Sequence, residues 1–362
     1  MRIAVIGDGI AGLCTAFRLL QANYKVTIYT APRCHKRASD AAQGVICNKG
    51  LLLPQKPLFA AKLNSLAWVK SWLKTLETIS GESIDKDFSS VKEPYRDSAQ
   101  FQKIAGRIYK GDLWGCFKSS NRPGKHAPWS DDSLGYLEYQ DEGWFDCRHV
   151  LRVLRSFSES KCEDFIESEV HRFTQVNSKI QVYCDSDIKE FDRIVLANGW
   201  GMNDLAENSK LSLPRLRPAS GHTLKVKIPE NIGNSIVVSG TKSLIVRSDK
   251  AYLGSTTIKS SSPTNEELEE SIQSLKESLH KDLFARNVSE KWAFEPIFGV
   301  RSFAKDRAPI FGELAPSVYC IGAFFKNGLQ FSDFLATALT QTISGLEVHP
   351  LAHQFSVHRF NR

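Results

Sequence analysis

Residues 1–30 constrain this chain more than any other stretch. Ile3, Ala4, Val5 and Ile6 form a short apolar run that stops at Gly7-Asp8-Gly9-Ile10-Ala11-Gly12, and a helical pattern of Leu13, Ala16, Phe17, Leu19 and Leu20 follows at once. A second apolar segment, Lys25 to Tyr29, closes the unit. Strand, glycine turn, helix and strand within about thirty residues is the dinucleotide-binding pattern, and each glycine has a mechanical reason. Gly7 permits the tight turn, Gly9 leaves room for backbone to approach a pyrophosphate, and Gly12 lets the helix pack closely on the strand. Ile10 and Ala11 then open a helix whose unpaired N–H groups and positive dipole end suit phosphate. The competing reading is a glycine turn that holds no nucleotide.

One departure stands out. The acidic residue that usually ends the second strand and holds a ribose hydroxyl falls near Thr30, where the chain reads Ile28-Tyr29-Thr30-Ala31. The hydroxyl of Thr30, or a backbone group, is left to take that place.

A length of 362 residues suits two domains or one interleaved pair. The balance of 47 basic against 40 acidic residues gives +7, a bias that favours an anionic partner such as RNA but equally describes an ordinary solvated surface. Eight cysteines are scattered without a CxxC pair, which predicts reduced, cytoplasmic thiols and no metal site. With a strand beginning at residue 3, no leader is expected, and no apolar run approaches the ~18 residues of a membrane span.

Past the second strand, Ala38-Ser39-Asp40-Ala41-Ala42-Gln43-Gly44-Val45-Ile46 is a small-residue turn. Its small side chains allow a flat ring to lie against backbone, and an ordinary loop is the alternative. Ala60 to Ile79 has helical period, with Leu63, Leu66, Ala67, Val69, Trp72, Leu73 and Leu76 on the expected buried side. From Glu82 to Gln140 the composition predicts strands and loops of an antiparallel domain, with β pieces at Phe101–Tyr109 and Gly135–Tyr139. Asp146 is the expected N-cap of a helix over Cys147–Ser158. Strands are expected at Phe165–Phe173, Ile180–Cys184, Phe191–Ala197, Ser235–Ser248 and Ala251–Ile258. Helices are expected at Glu266–Leu283, with Leu268, Ile272, Leu275 and Leu279 inward, and at Ser332–Ser344. The tail beyond Pro350 reads as a mobile end.

Several blocks carry a family likeness: the opening fingerprint; Leu196-Ala197-Asn198-Gly199-Trp200; Tyr252-Leu253-Gly254-Ser255-Thr256-Thr257; Gly299-Val300-Arg301 with Asp306, Pro309 and Gly312; and Ile321-Gly322-Ala323-Phe324-Phe325-Lys326-Asn327-Gly328-Leu329. Together they resemble the D-amino acid oxidase and glycine oxidase family of FAD-dependent amine oxidoreductases over nearly the whole length. Within it, the Thr30 departure, the Gln43-Gly44 turn and Gly143-Trp144-Phe145 are similar to the flavin half of the bifunctional enzyme that matures the methylaminomethyl group of tRNA wobble uridine; no methyltransferase domain is expected ahead of residue 1.

The resemblance implies an α/β fold, with a Rossmann-like FAD-binding domain (1–80, 141–205 and 296–362) interleaved with an α+β substrate domain on an antiparallel sheet (81–140 and 206–295). It implies FAD as cofactor and oxidation of an amine by hydride loss to flavin N5. Ala197, Asn198, Gly199 and Trp200 look like the second nucleotide turn, and Val170 sits where the family contacts the adenine side. Gly299 belongs to the block that delivers Arg301, which matches the family's clamp on a substrate carboxylate. A guanidinium suits that task because two parallel N–H donors meet both oxygens, and a salt bridge with Asp306 or Glu295 is the alternative. Phe325, Lys326, Asn327, Gly328 and Leu329 look like the turn against the flavin pyrimidine edge, where backbone N–H groups and a helix dipole stabilise negative charge. Lys326 either adds charge there or is a solvated lysine; Gln330 and Phe324 either line the pocket or pack the core. His222 either faces the pocket or is structural, and Cys320 either binds flavin covalently or is a buried strand residue. The expected substrate is a small amine or amino acid; the alternatives are tRNA modification by removal of a carboxymethyl group, and a flavin-binding interaction protein without turnover.

Overall fold

A computed structural model of the chain describes residues 1–32, 36–48, 58–95, 97–110, 117–120, 134–185, 187–228, 233–247, 250–279, 281 and 292–360. The opening unit forms as its residues dictate, with β1 (Arg2–Ile6), α1 (Ile10–Gln21) and β2 (Lys25–Thr30), and β1 pairs in parallel with β2. Gly7 has φ +112°, and a Cβ added to Gly12 would lie 1.7 Å from the Gly7 carbonyl oxygen. Only glycine tolerates either position.

The chain continues through β3 (Val45–Ile46), α2 (Phe59–Ser80), β4 (Lys86–Asp87), β5 (Ser90–Tyr95), α3 (Ser98–Lys110), β6 (Phe117–Ser120), β7 (Gly135–Gln140) and β8 (Gly143–Phe145). Then follow α4 (Cys147–Lys161), β9 (Asp164–Glu167), β10 (Val170–Val176), β11 (Lys179–Cys184), β12 (Ile188–Phe191), β13 (Arg193–Leu196) and α5 (Met202–Asn208). The rest is β14 (Arg217–Lys227), β15 (Ser235–Ser239), β16 (Lys242–Arg247), β17 (Lys250–Gly254), α6 (Asn265–Ser278), β18 (Ala293–Phe303), β19 (Ile310–Ala315), β20 (Val318–Gly322) and α7 (Gly328–Ser344).

One sheet has the order β19-β20-β13-β1-β2-β9 and is parallel except for β19 against β20. Both faces are covered, which is why its strands are apolar runs without alternation. Leu13, Phe17, Leu154 and Leu335 from α1, α4 and α7 pack on one face. Phe173, Ile180, Val182 and Phe191 of the antiparallel β10-β11-β12 sheet pack on the other. The second large sheet runs β18-β14-β17-β16-β15-β5-β7-β6 and is antiparallel apart from β15 against β5. Leu275 and Leu279 cover it beside Leu224 and Leu253. The fold is thus the expected mixed α/β class with a Rossmann-like half.

Several local expectations are corrected. Phe101–Tyr109 is not a strand but the body of α3; Phe101, Ile104 and Ile108 stand at helical spacing, and Ile104 and Ile108 are each 1% exposed. Phe165–Phe173 breaks at Ser168-Glu169 into β9 and β10, which belong to different sheets. The Phe191–Ala197 run breaks at Asp192, whose carboxylate accepts the Arg2 backbone N–H at 2.6 Å. The expected strand Ser235–Ser248 is, over its described residues Ser235 to Arg247, a hairpin turning at Gly240 with φ +56°. Ala251–Ile258 leaves the sheet after Gly254, with Ile258 bridging Ser220 instead. On α2, Ala61 and Ser65 are buried while Leu63 and Ala67 are exposed, because the buried stripe is set by what α7 offers it. The α6 helix is described to Ser278; the expected extension to Leu283 ends outside the described residues.

The tail is not a mobile end. Pro350–Phe355 and Val357–Phe360 form short 3-10 turns; Phe355 is fully buried against Phe331, with ring centroids 5.3 Å apart, and Arg359 pairs with Asp306 at 2.8 Å. Three apolar residues, Ala352, Phe355 and Val357, are too few to register as a period yet enough to anchor it. Phe355→Ala is therefore expected to cost about 3–5 kcal/mol, read as a loss of unfolding free energy in urea; a change under 1 kcal/mol would mean the tail is not part of the core.

Candidate active site

One continuous cavity of about 1240 Å³ runs from the glycine turn, past the ends of the parallel strands, to Arg301 and the start of α7. It exceeds the roughly 300–1,000 Å³ of common ligand pockets, so a long cofactor and a second molecule fit together. Gly7, Gly9, Ile10, Ala11, Ala38, Ser39, Gln43, Gly44, Val170, Ala197, Asn198, Gly199 and Trp200 line it, as do Arg301, Phe325, Lys326, Asn327, Gly328, Leu329 and Gln330. Gly12, Thr30 and Gly299 are not on its wall. Gly12 acts by its contact with Gly7. Thr30 is buried, and its hydroxyl is turned toward the Ala31 carbonyl and Asp8. A Cβ on Gly299 would come 2.8 Å from that of Ala41, so this glycine lets β18 close on the 38–41 turn.

Two helices point N-termini at the cavity without a cap from their own N-cap side chains. Neither Gly9 before α1 nor Asn327 before α7 makes a side-chain cap, and neither first turn holds an acid. Ser39 Oγ accepts the Ile10 N–H at 2.9 Å, leaving the following donors of the turn for a ligand. Asp8, inside the glycine turn, is a residue the pattern alone does not flag. Burial opposes its charge, but hydrogen bonding and charge from Arg37, with Arg155 and Thr30 adding to them, hold its carboxyl below the usual carboxylate range. The ion pairs neutralise a carboxylate that would otherwise repel phosphate.

At the other end the eight-stranded sheet supplies Arg301 from β18. Its Nη1 donates to the Thr256 carbonyl at 3.1 Å, and burial pushes the guanidinium down to about 10. Neither neighbouring acid neutralises it: Asp306 pairs with Arg359, and Glu295 with Lys225 at 3.6 Å. Burial first, then the charges of Arg301 and Lys242, push the Lys326 ammonium down to about 8. Gln330 donates to Asn48 Oδ1 at 2.8 Å and to Ser65 Oγ at 2.6 Å, so it lines the cavity and also ties α7 to α2. Phe324 is 8% exposed and reaches the wall as well. His222 does not: its Nδ1 sits 3.0 Å from Ser271 Oγ and its ring meets Phe298 edge-on. Cys320 is fully buried in β20, with burial pushing its thiol up. Lys62, Glu93, Lys103 and Lys242 line the cavity without any sequence motif to announce them.

FAD suits this cavity on its own evidence. The glycine turn leaves its Gly9 edge facing Ser39 Oγ alone, at 3.3 Å from an added Cβ. The buried Asn198 Oδ1, on the wall, has no hydrogen-bond partner among the described residues. Two donor-rich helix ends stand along one channel, where an extended molecule with a diphosphate in its middle can meet both.

Comparison with known proteins agrees with the geometry. The chain is 22% identical to the tRNA 5-methylaminomethyl-2-thiouridine biosynthesis bifunctional protein of Idiomarina loihiensis, over 99% of this chain and 58% of that protein, so it spans little more than half of that relative. Among solved structures it is similar to iminodiacetate oxidase from Chelativorans sp. BNC1, with TM-score 0.83, 16% identity and coverage of 98% of each chain. Glycine oxidase from Geobacillus kaustophilus gives TM-score 0.82, 15% identity and 99% coverage of each. Residues 2–342 match the family model described as FAD dependent oxidoreductase, and the chain belongs to that family.

Proposed function

We propose that this protein oxidises the C–N bond of an amine bearing a carboxylate, either an amino acid or a secondary amine with a carboxymethyl arm. The observation that carries this reading is Arg301: a guanidinium on the cavity wall, bonded to one carbonyl and to no carboxylate among the described residues. Bound FAD supplies the two-electron acceptor. The chain's own residues do the rest.

Residues 1–80, 141–205 and 296–362 hold the cofactor in this scheme, and 81–140 and 206–295 present the substrate. The turn at Gly7–Gly12 and the α1 N-terminus hold the diphosphate, while Ala197–Trp200 and Val170 flank the adenosine. Ala38, Ser39, Gln43 and Gly44 give the ring a flat backbone seat, and the Phe325–Leu329 turn offers N–H donors to its polar edge. Arg301 fixes the substrate carboxylate with two parallel donors and so sets the angle of the reacting C–H bond. Lys326 adds positive charge where negative charge develops. Gln330 is a positioning residue that holds Asn48 and the start of α7 in register. The scattered free cysteines support a reducing, cytoplasmic setting.

A second reading, removal of a carboxymethyl group from tRNA wobble uridine, is favoured by the likeness to the tRNA-modifying relative across 99% of this chain. It requires tRNA binding with a steep salt dependence. Anaerobic mixing separates the two: bleaching of the visible flavin bands by glycine, sarcosine or a D-amino acid supports the first, bleaching only by modified tRNA supports the second, and bleaching by none sinks both.

Arg301→Leu is expected to lower kcat/KM for carboxylate-bearing amines by about 2–3 kcal/mol, on the order of 30–200-fold. An unchanged kcat/KM would remove Arg301 from the site. The Lys326 ammonium, pushed down to about 8, carries its charge below that pH and loses it above. The Kd of an unreactive carboxylate, followed by perturbation of the flavin spectrum, should therefore be flat below about pH 8 and rise beyond it. Lys326→Met should remove that inflection; its survival in the variant would assign it elsewhere.

A further inference from the structure

The acid that ends the second strand of the dinucleotide-binding pattern and holds a ribose hydroxyl is missing at Thr30, yet a carboxylate stands beside that position. It belongs to Asp8, inside the glycine turn. Ile6 pairs in register with Tyr29, and the Gly7 N–H donates to the Tyr29 carbonyl at 2.8 Å. Asp8 and Thr30 therefore leave the carboxyl ends of two adjacent parallel strands side by side, and the Thr30 hydroxyl bonds to the Asp8 carboxylate. Of the two, only Asp8 reaches the cavity wall, where Tyr29 and Ala31 stand as well.

The carboxylate is anchored from behind. Arg37, from the turn after β2, and Arg155, from α4, both donate to its Oδ2, so Oδ1 is bonded by neither guanidinium. Each guanidinium also has a second acid: Arg37 bonds to Asp40 at 2.8 Å, and Arg155 lies 3.8 Å from Glu159. Asp8 is 5% exposed, so water competes little for its remaining lone pairs. Glu169 and Asp204 also line the cavity, near Val170 and Trp200, but both are exposed and solvated. A buried, ionised acceptor is the stronger partner for a hydroxyl.

We propose that Asp8 replaces the strand-end acid: its carboxylate, fixed by Arg37 and Arg155, accepts a hydroxyl of the adenosine ribose of FAD from within the glycine turn. The same carboxylate accounts for the residue at position 30. An acid there would put two carboxylates in contact, which disfavours the charge of both, whereas threonine supplies a hydroxyl donor and no charge. The assignment concerns the cofactor and holds whichever amine is oxidised.

The test uses the full chain stripped of flavin and titrated with FAD and with FAD analogues lacking the 2′ or the 3′ hydroxyl of the adenosine ribose, read by flavin fluorescence. At least one analogue is expected to bind roughly 10–100-fold more weakly than FAD. Asp8→Ala should bring that FAD-to-analogue ratio close to one, and Thr30→Glu should weaken the binding of FAD itself. Thermal melting of the flavin-free variants checks their folding separately. FAD and both analogues binding alike in the unaltered chain would overturn the proposal with no variant needed. So would a ratio that survives Asp8→Ala, a ratio abolished by Glu169→Gln, or a Thr30→Glu variant that binds FAD at least as tightly as the unaltered chain. None of these readings needs turnover, so their failure leaves the amine-oxidation reading to be judged by bleaching alone.

Discussion

The backbone contact between Gly12 and the Gly7 carbonyl is the constraint from which the rest of the molecule is hung. It lets α1 start immediately against β1, and it places Gly7 so close to the second turn that an added Cβ would lie 2.7 Å from the Ala197 carbonyl oxygen. Two segments far apart in sequence thereby meet with backbone alone. What they enclose is a floor rich in N–H donors and poor in side chains, which is a condition for holding an anion by its charge rather than by its shape.

A second set of contacts fastens the two large sheets to one another through a single segment. Thr223 donates to the Ala41 carbonyl at 2.7 Å, Ser243 donates to Gln43 Oε1 at 2.8 Å, and Arg37 bridges Val300. Residues 37–43 are therefore bonded on one side to the glycine turn, through Ser39 and Asp8, and on the other to β14, β16 and β18. The electrostatics follow the same division. At the nucleotide end acids and bases are paired, while at the substrate end cations outnumber acids and desolvation presses on them.

What could be read from the sequence was whatever residue type dictates at short range. Gly7, Gly9 and Gly12 specify their turn by themselves, and Asp146 caps α4 because its carboxylate reaches the next two free N–H groups. The family blocks carried the fold class and the cavity's long walls for the same reason. Illegible were features decided by distant partners. Phe101 to Ile108 mixes helical and strand spacing, and only the sheet beneath α3 chooses between them. Ser65 stands outside the apolar positions that define the helical period, yet it is fully buried beside Gln330. Ser243 bonds to Gln43, 200 positions away. No local pattern encodes that address.

The double fastening of residues 37–43 has a consequence for motion. A segment bonded to both halves cannot serve as the flexible joint by which the cavity breathes, since opening there would break hydrogen bonds to two sheets at once. Ligand exchange is left to the rest of the rim, which Gly240 and Thr241 of the β15–β16 turn and Gln100 and Lys103 of α3 help to line. The molecule is built like a bivalve whose hinge is welded along the nucleotide and whose free margin is its charged one.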